Sequence, residues 1–176
     1  MAQPFTTQSP VSVNYSYSDI ASGTGMQKYY IINTQSSVGS NPILISFLEE
    51  GSDQSLTVGG TTDIDLTPFN LTQKVKGIGY ISFYNTRVSA NVSVKFQLKK
   101  YDGTTETNLT SVIESRTITA GVGQTALLAL PITETLFNKG DILRLSIEAI
   151  GTGSTISADP TSTYPSILYI PFDLRL

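Results

Sequence analysis

Short apolar runs with a two-residue period, separated by turn-forming residues, are the sequence feature that most constrains this fold. The clearest run lies within residues 91–101, where every second residue from Val92 to Leu98 is apolar and the residues between are polar. A period of two places the two sets on opposite faces of a β-strand, so we expect one buried face and one solvated face. Asp102-Gly103 follows immediately, and this pair is a strong signal for a hairpin turn.

Similar runs recur along the chain and predict eight or nine strands. Residues 143–149 alternate in the same way, after a predicted turn at residues 138–141, and residues 109–119 are expected to pair with the strand at 91–101. Residues 78–84 are apolar on both faces, which predicts a buried central strand. Residues 126–132 contain Pro131, which cannot donate to a ladder and so predicts an edge strand. The one predicted helical element is a single turn at residues 133–138.

The expected fold is therefore all-β: an antiparallel jelly-roll sandwich of about eight strands with an extended N-terminal arm. The last run, residues 168–176, extends to the end of the sequence and suggests a closing strand inserted between others. The connections vary widely in length, including a Gly/Ser/Thr/Pro-rich loop at residues 151–165. Both features favour a jelly roll over an immunoglobulin-like sandwich.

Residues 1–27 differ from the rest and are predicted to form an N-terminal arm, leaving residues 28–176 as the jelly-roll domain. Within the arm, Val11, Val13, Tyr15 and Tyr17 alternate with small polar residues, which indicates a weak edge strand. Two interpretations stay open. The segment is either a loosely held terminus or an arm that orders against a neighbouring subunit.

The residue inventory removes several kinds of chemistry. The chain has no histidine and no cysteine, which excludes Ser-His-Asp and Cys-His sites as well as thiolate metal sites. We therefore expect no enzymatic activity and no cofactor. Asp63 and Asp65 could supply oxygen ligands to Ca²⁺, but residues 61–66 also predict a strand whose polar face carries both acids.

Charge and hydropathy limit the partners. The net charge is −3 and Lys99-Lys100 is the only adjacent basic pair, so we expect no nucleic-acid binding. No apolar run approaches the roughly 20 residues that span a bilayer, and residues 1–10 lack the features of a signal peptide. Synthesis in a host cytoplasm, without membrane insertion, is the resulting expectation.

Tyrosines are the candidate binding residues. Tyr offers a large apolar face with a polar tip and is enriched in interfaces. Tyr15, Tyr17, Tyr29 and Tyr30 are predicted interface residues, and Tyr80 is a weaker candidate.

Two stretches resemble structural proteins of tailed bacteriophages. The run from Tyr15 to Gly25, followed by Lys28-Tyr29-Tyr30, resembles the opening of small phage structural proteins. The run from Lys139 to Leu145 is similar to the penultimate strand of trimeric jelly rolls. The resemblance implies a capsid-decorating, cementing or spike-like protein, often trimeric, with no catalytic motif to carry over.

Two functions follow as expectations. The first is a viral structural protein on the capsid surface of a virion, with itself (as a homotrimer) and the major capsid protein as partners. The alternative is a glycan- or receptor-binding β-sandwich module of a phage fibre or spike. The absence of tryptophan, and of an aromatic cluster beside acids and amides, lowers the glycan option.

Overall fold

The computed structural model describes residues 24–35, 41–45, 54–88, 91–121, 123–151, 155–158 and 165–173. These residues form twelve strands and no helix. The strands are β1 (Thr24–Gln35), β2 (Pro42–Ile45), β3 (Gln54–Thr57), β4 (Thr61–Leu66), β5 (Gln73–Val88), β6 (Val92–Tyr101), β7 (Glu106–Asn108), β8 (Ile113–Glu114), β9 (Gln124–Phe137), β10 (Ile142–Gly151), β11 (Thr155–Ala158) and β12 (Ile167–Asp173).

The predicted all-β sandwich is confirmed. One layer contains β9, β5, β12, β1 and β2, with β3 and β11 beyond the end of β12. The other layer contains β4, β10, β6, β7 and β8. The pairing is antiparallel except between β2 and β4, which are parallel and connect the two layers. The strand number exceeds the predicted eight or nine partly because short strands lie outside the predicted runs, such as β7 and β11, the second within the loop expected at residues 151–165. The strand expected at residues 109–119 is reduced to β8, which pairs with β6 as predicted.

Alternation in β6 and β10 builds the core as predicted. Val94, Phe96 and Leu98 on β6 are completely buried, and so are Leu143, Leu145 and Ile147 on β10. The two strands pair along their whole length, with Leu98 opposite Leu145 and Phe96 opposite Ile147. Opposite-layer side chains meet them, since the Phe83 and Phe96 ring centroids lie 5.3 Å apart in an edge-on arrangement. Large aromatic pairs of this kind favour a tightly packed sandwich interior.

The predicted hairpin at Asp102-Gly103 is present. Gly103 has a φ of 97°, a left-handed conformation that side chains beyond glycine rarely adopt. Asp102 Oδ1 accepts hydrogen bonds from the backbone N–H groups of Thr104 and Thr105, at 2.9 and 2.8 Å. These bonds lower the pKa of Asp102 and connect β6 to β7.

The closing strand is inserted between others, as the sequence predicted. β12 pairs with β1 on one side and with β5 on the other. Its Pro171 interrupts the ladder with β5, where the register shifts between Tyr169 and Phe172. An irregularity of this kind is where a proline fits inside a sheet.

The helical turn predicted at residues 133–138 is wrong. β9 remains extended through Phe137, and Thr135 and Phe137 pair with Val75 and Gln73 of β5. Fourteen residues of β9 lie along the longer β5, so ladder hydrogen bonds outweigh the weak local helix signal.

The structure also bears on the expected N-terminal arm. Residues 24–27 pair with β12 as the first part of β1, while the rest of the predicted arm lies outside the described residues. No described segment forms a helix long and apolar enough to cross a bilayer.

Candidate interaction surface

β5 is central in its layer but is buried on one face only. Ile81 and Phe83 are fully buried, whereas Ile78 and Tyr80, which point to the other face, are 50% and 40% exposed. β5 pairs with β9 on one side and with β12 on the other, so its central position was predicted correctly. The prediction of burial on both faces is wrong, because only the inner face meets the second layer.

Neighbouring strands extend the apolar surface around Tyr80. Ala129 of β9 and Tyr169 of β12 lie directly opposite Tyr80 on either side. One step along the ladder, Leu127 lies opposite Ser82 and is 69% exposed. We call this surface the outer apolar face, and its members are Ile78, Tyr80, Leu127, Ala129, Pro131, Ile167 and Tyr169.

Charged residues border the outer apolar face at the end where β5 begins. Lys74 Nζ lies 2.8 Å from Glu134 Oε1, and Lys76 Nζ lies 3.3 Å from Asp173 Oδ2. The hydrogen bond from Lys74 lowers the pKa of Glu134. An apolar centre with a charged rim is the usual composition of a protein interface.

β9 is an edge strand, as Pro131 predicted. Among the described strands it pairs with β5 alone. A groove of about 280 Å³ runs beside its first half, between the edge of β9 and the segment that precedes it. We call it the edge groove, and it is lined by Arg116, Thr117, Ile118, Gln124, Thr125, Ala126, Leu127 and Leu128.

The sequence-predicted tyrosines fall in different places. Tyr29 is 3% exposed within the core, and its hydroxyl donates to Gln27 Oε1 at 2.5 Å. Tyr30 is 8% exposed, with Lys28 Nζ 4.9 Å from its ring centroid. Tyr15 and Tyr17 lie outside the described residues, so their interface role stays a prediction. Of the sequence-predicted tyrosines that the structure describes, Tyr80, the weaker candidate, is the one on the outer apolar face.

Asp63 and Asp65 face a guanidinium group. Arg144 Nε and Nη2 donate to the two carboxylate oxygens of Asp65 at 2.6 and 2.8 Å, and Asp63 accepts from the Ser146 hydroxyl. Hydrogen bonding to Asp65 raises the pKa of Arg144. No cluster of three potential metal ligands occurs among the described residues. The arrangement favours the strand interpretation over the calcium site, because a cation already neutralises these carboxylates.

The same arginine connects two further strands. Arg144 Nη1 lies 2.5 Å from Glu106 Oε1 of β7, and its guanidinium carbon lies 4.5 Å from the ring centroid of Tyr101 on β6. Hydrogen bonds from Lys99, the larger effect, and from Arg144 hold the pKa of Glu106 below its ordinary value. The cluster therefore ties β4, β10, β6 and β7 together on the polar side of the second layer.

Comparisons with known proteins show a shared fold with parts of larger enzymes. No protein-family model and no curated protein matches the chain. A CocE/NonD family hydrolase from Staphylococcus aureus matches with a TM-score of 0.68 and 12% identity, over 86% of this chain and 37% of the hydrolase. An aminopeptidase from a marine-sediment Thaumarchaeota archaeon matches with a TM-score of 0.67 and 7% identity, over 85% of this chain and 37% of the aminopeptidase. The chain thus spans little more than a third of these proteins.

A structure of infectious bursal disease virus also matches, but its TM-score of 0.34 is too low to support a comparison.

These matches overturn the prediction that the chain is not an enzyme. The sandwich that the residue inventory assigned to a purely structural role is a fold that hydrolases contain. The missing histidine and cysteine exclude particular catalytic groups within this chain, but they do not separate its fold from enzymes. At these identities the likeness concerns the fold alone.

Proposed function

We propose that this chain is an assembly module that associates with further copies of itself through the outer apolar face. The distribution of exposed apolar side chains carries the proposal. Six large apolar side chains are exposed among the described residues, and three of them, Ile78, Tyr80 and Leu127, belong to the outer apolar face. Scattered surface apolar residues are ordinary, whereas a contiguous group marks an interaction site.

Light scattering after size-exclusion chromatography tests the proposal. We expect the native chain to have a mass that is a multiple of 19.0 kDa. Leu127→Lys should reduce it to a single chain, because a charge would be buried in the interface. Leu71→Lys is a matched control, since Leu71 is 70% exposed but lies outside the outer apolar face, against 69% for Leu127. A native protein that elutes as a single chain at all concentrations would refute the proposal.

The finer part of the proposal is a trimer that decorates a viral shell, with the major capsid protein as its second partner. The resemblance of residues 15–30 and 139–145 to phage structural proteins supports it. A gene next to a major capsid protein, and saturable binding to purified capsids, are the expected observations. Strong signals on a glycan array that disappear in Tyr80→Ala would instead move the face to a glycan-binding role, since Tyr80 lies beside Tyr169.

A second candidate function comes from the solved structures. The match covers 37% of an aminopeptidase and 37% of a CocE/NonD hydrolase. The sandwich could therefore serve as one domain of a hydrolytic protein or complex. The outer apolar face would then contact a catalytic domain. Hydrolysis of amino-acid esters by the purified chain, absent after thermal unfolding, would place an active site in this chain. No hydrolysis, together with a self-associated native state, would favour the assembly module.

A further inference from the structure

We infer that the edge groove receives residues 11–18 of a second copy of this chain, added as a β-strand to β9; this inference rests on the proposed self-association. Every second residue of an edge strand directs its N–H and C=O groups away from its partner strand. For β9, the described structure shows no ladder on that side. Unpaired backbone groups of this kind are a template for another strand.

The backbone pattern of β9 indicates which residues offer those groups. Pro131 has no N–H and is tolerated where a missing donor would face away from β5. Ala129 and Leu127 are two and four residues away, so they share its orientation. Both are exposed, as is Thr125. The free edge of β9 therefore offers donors and acceptors from Thr125 to Ala129.

The groove beside this edge has the form that an extended peptide needs. Its far wall is the segment Arg116–Ile118, and Ile118 is itself held against β6 by paired backbone hydrogen bonds to Val92, at 2.6 and 3.1 Å. Further along β9, beyond the groove, the Thr133 N–H donates to the Leu109 carbonyl at 2.8 Å. That donor of the β9 edge is therefore already paired, and the groove lies beside the first half of β9.

Residues 11–18, with Asp19 directly after them, match this groove in pattern, charge and reach. They alternate apolar and small polar residues, which suits a strand with one apolar face. Asp19 is the only charged side chain in residues 1–27, and Arg116 is the only charged residue that lines the groove. Twenty-three residues precede β1, and at about 3.3 Å per residue such a segment reaches a neighbouring copy.

Cross-linking in a cysteine-free background provides the test. The native chain has no cysteine, so Val13→Cys and Thr117→Cys each introduce a unique thiol. An equal mixture of the two full-length variants, one carrying a size tag, is treated with a short bismaleimide. We expect a mixed covalent dimer in high yield. Leu71→Cys in place of Thr117→Cys is the control and should reduce that yield at least tenfold, because Leu71 lies on a loop outside the groove.

Deletion of residues 2–18 gives a second readout. We expect this variant to melt cooperatively and to lose the higher mass seen by light scattering, because the described fold begins at Thr24. An oligomer that persists in the deletion variant, with no mixed cross-link, would overturn the strand-addition inference and leave the outer apolar face as the contact. A cross-link that forms only in a double variant, with Val13→Cys and Thr117→Cys in one chain, would place residues 11–18 in the edge groove of their own chain. That result would also overturn the inference. A native chain that is always single would overturn the proposed function as well.

Discussion

At the scale of single residues, Gly79 lets β5 and β12 lie against each other beside the irregularity at Pro171. A Cβ at Gly79 would lie 2.8 Å from the Tyr169 carbonyl oxygen and 3.1 Å from Ile132 Cδ1. The first of these neighbours is backbone and cannot rotate away. Close approach of two backbones, and not a special φ, is what requires glycine here.

Gly79→Ala should therefore lower the free energy of unfolding by about 1–3 kcal/mol, the range for overpacking in a core. Urea denaturation followed by intrinsic tyrosine fluorescence measures it. Gly60→Ala is the matched control, because its nearest neighbour would lie 3.5 Å away, an ordinary contact. Equal effects of the two substitutions would refute the role assigned to Gly79.

Arg144 is the second residue with a strong expected effect. Its side chain is 12% exposed and that of Asp65 is 13% exposed, so Arg144→Met would leave a nearly buried carboxylate without its cation. We expect a loss of about 2–3 kcal/mol in the free energy of unfolding. Lys95→Met should change it by less than about 0.5 kcal/mol, because the Lys95–Glu148 pair is exposed and 4.0 Å long. A similar loss in both variants would argue against the cluster.

Glu106 gives the cluster a pH dependence. Its pKa in the folded state is lowered from the ordinary 4.5 by hydrogen bonds from Lys99 and Arg144. Ionised Glu106 therefore stabilises the fold above about pH 4.5, and this contribution is lost as the pH falls through the lowered pKa. Glu106→Gln should show a smaller drop in unfolding free energy between neutral pH and about pH 3 than the native protein. Parallel curves for the two proteins would contradict this.

At the scale of elements, the strands with a single solvated face were predictable from sequence. The sequences of β6 and β10 alternate because one face meets the apolar core and the other carries polar side chains, including the cluster around Arg144. The same local rule failed for β5, where Ile78 and Tyr80 are apolar but exposed. Apolar residues on both faces of a strand indicate burial on both faces. A single sequence does not distinguish a face covered by another layer of the same chain from a face left exposed for a partner.

Two further failures have physical causes of the same kind. Residues 133–137 are extended because they pair with β5. Their partners lie some 60 residues earlier in the chain, and local helix propensity does not include such long-range pairing. The pairing of Arg144 with Asp65 joins residues 79 positions apart. The outer apolar face was not predicted either, because it also joins strands that are distant in the chain. Its two signs in the sequence are the apolar run at 78–84 and the edge strand at 126–132, which contains Pro131.

The closing strand offers an element-scale prediction. β12 pairs with both β1 and β5 and buries Leu168 and Ile170 completely. Deletion of residues 167–176 should abolish the cooperative thermal transition measured by circular dichroism, since it opens the centre of one layer. Deletion of residues 1–22, which leaves every described strand intact, is the control and should retain the transition. A cooperative melt without β12 would show that the layer re-forms around the gap.

At the scale of the whole molecule, low charge makes apolar contact the main expected source of association. Only 14% of the residues are charged and the net charge is −3, so long-range attraction between copies is small. At 1 M salt the Debye length is about 3 Å, and ion pairs across an interface are strongly screened. The mass measured by light scattering should therefore be the same or higher in 1 M NaCl than in 0.15 M. Dissociation at high salt would assign the contact to the charged rim.

The pairing of the outermost described residues has a practical consequence. Thr24 at the start of β1 lies directly opposite Asp173 at the end of β12. Directly opposed residues in an antiparallel pair have Cα atoms about 4.5–5.5 Å apart, so a linker of a few residues could join the two positions. Circular permutants that open instead at the exposed hairpin tip near Gly103 are then geometrically accessible, and cargo fused at either position would leave the sandwich from the same end.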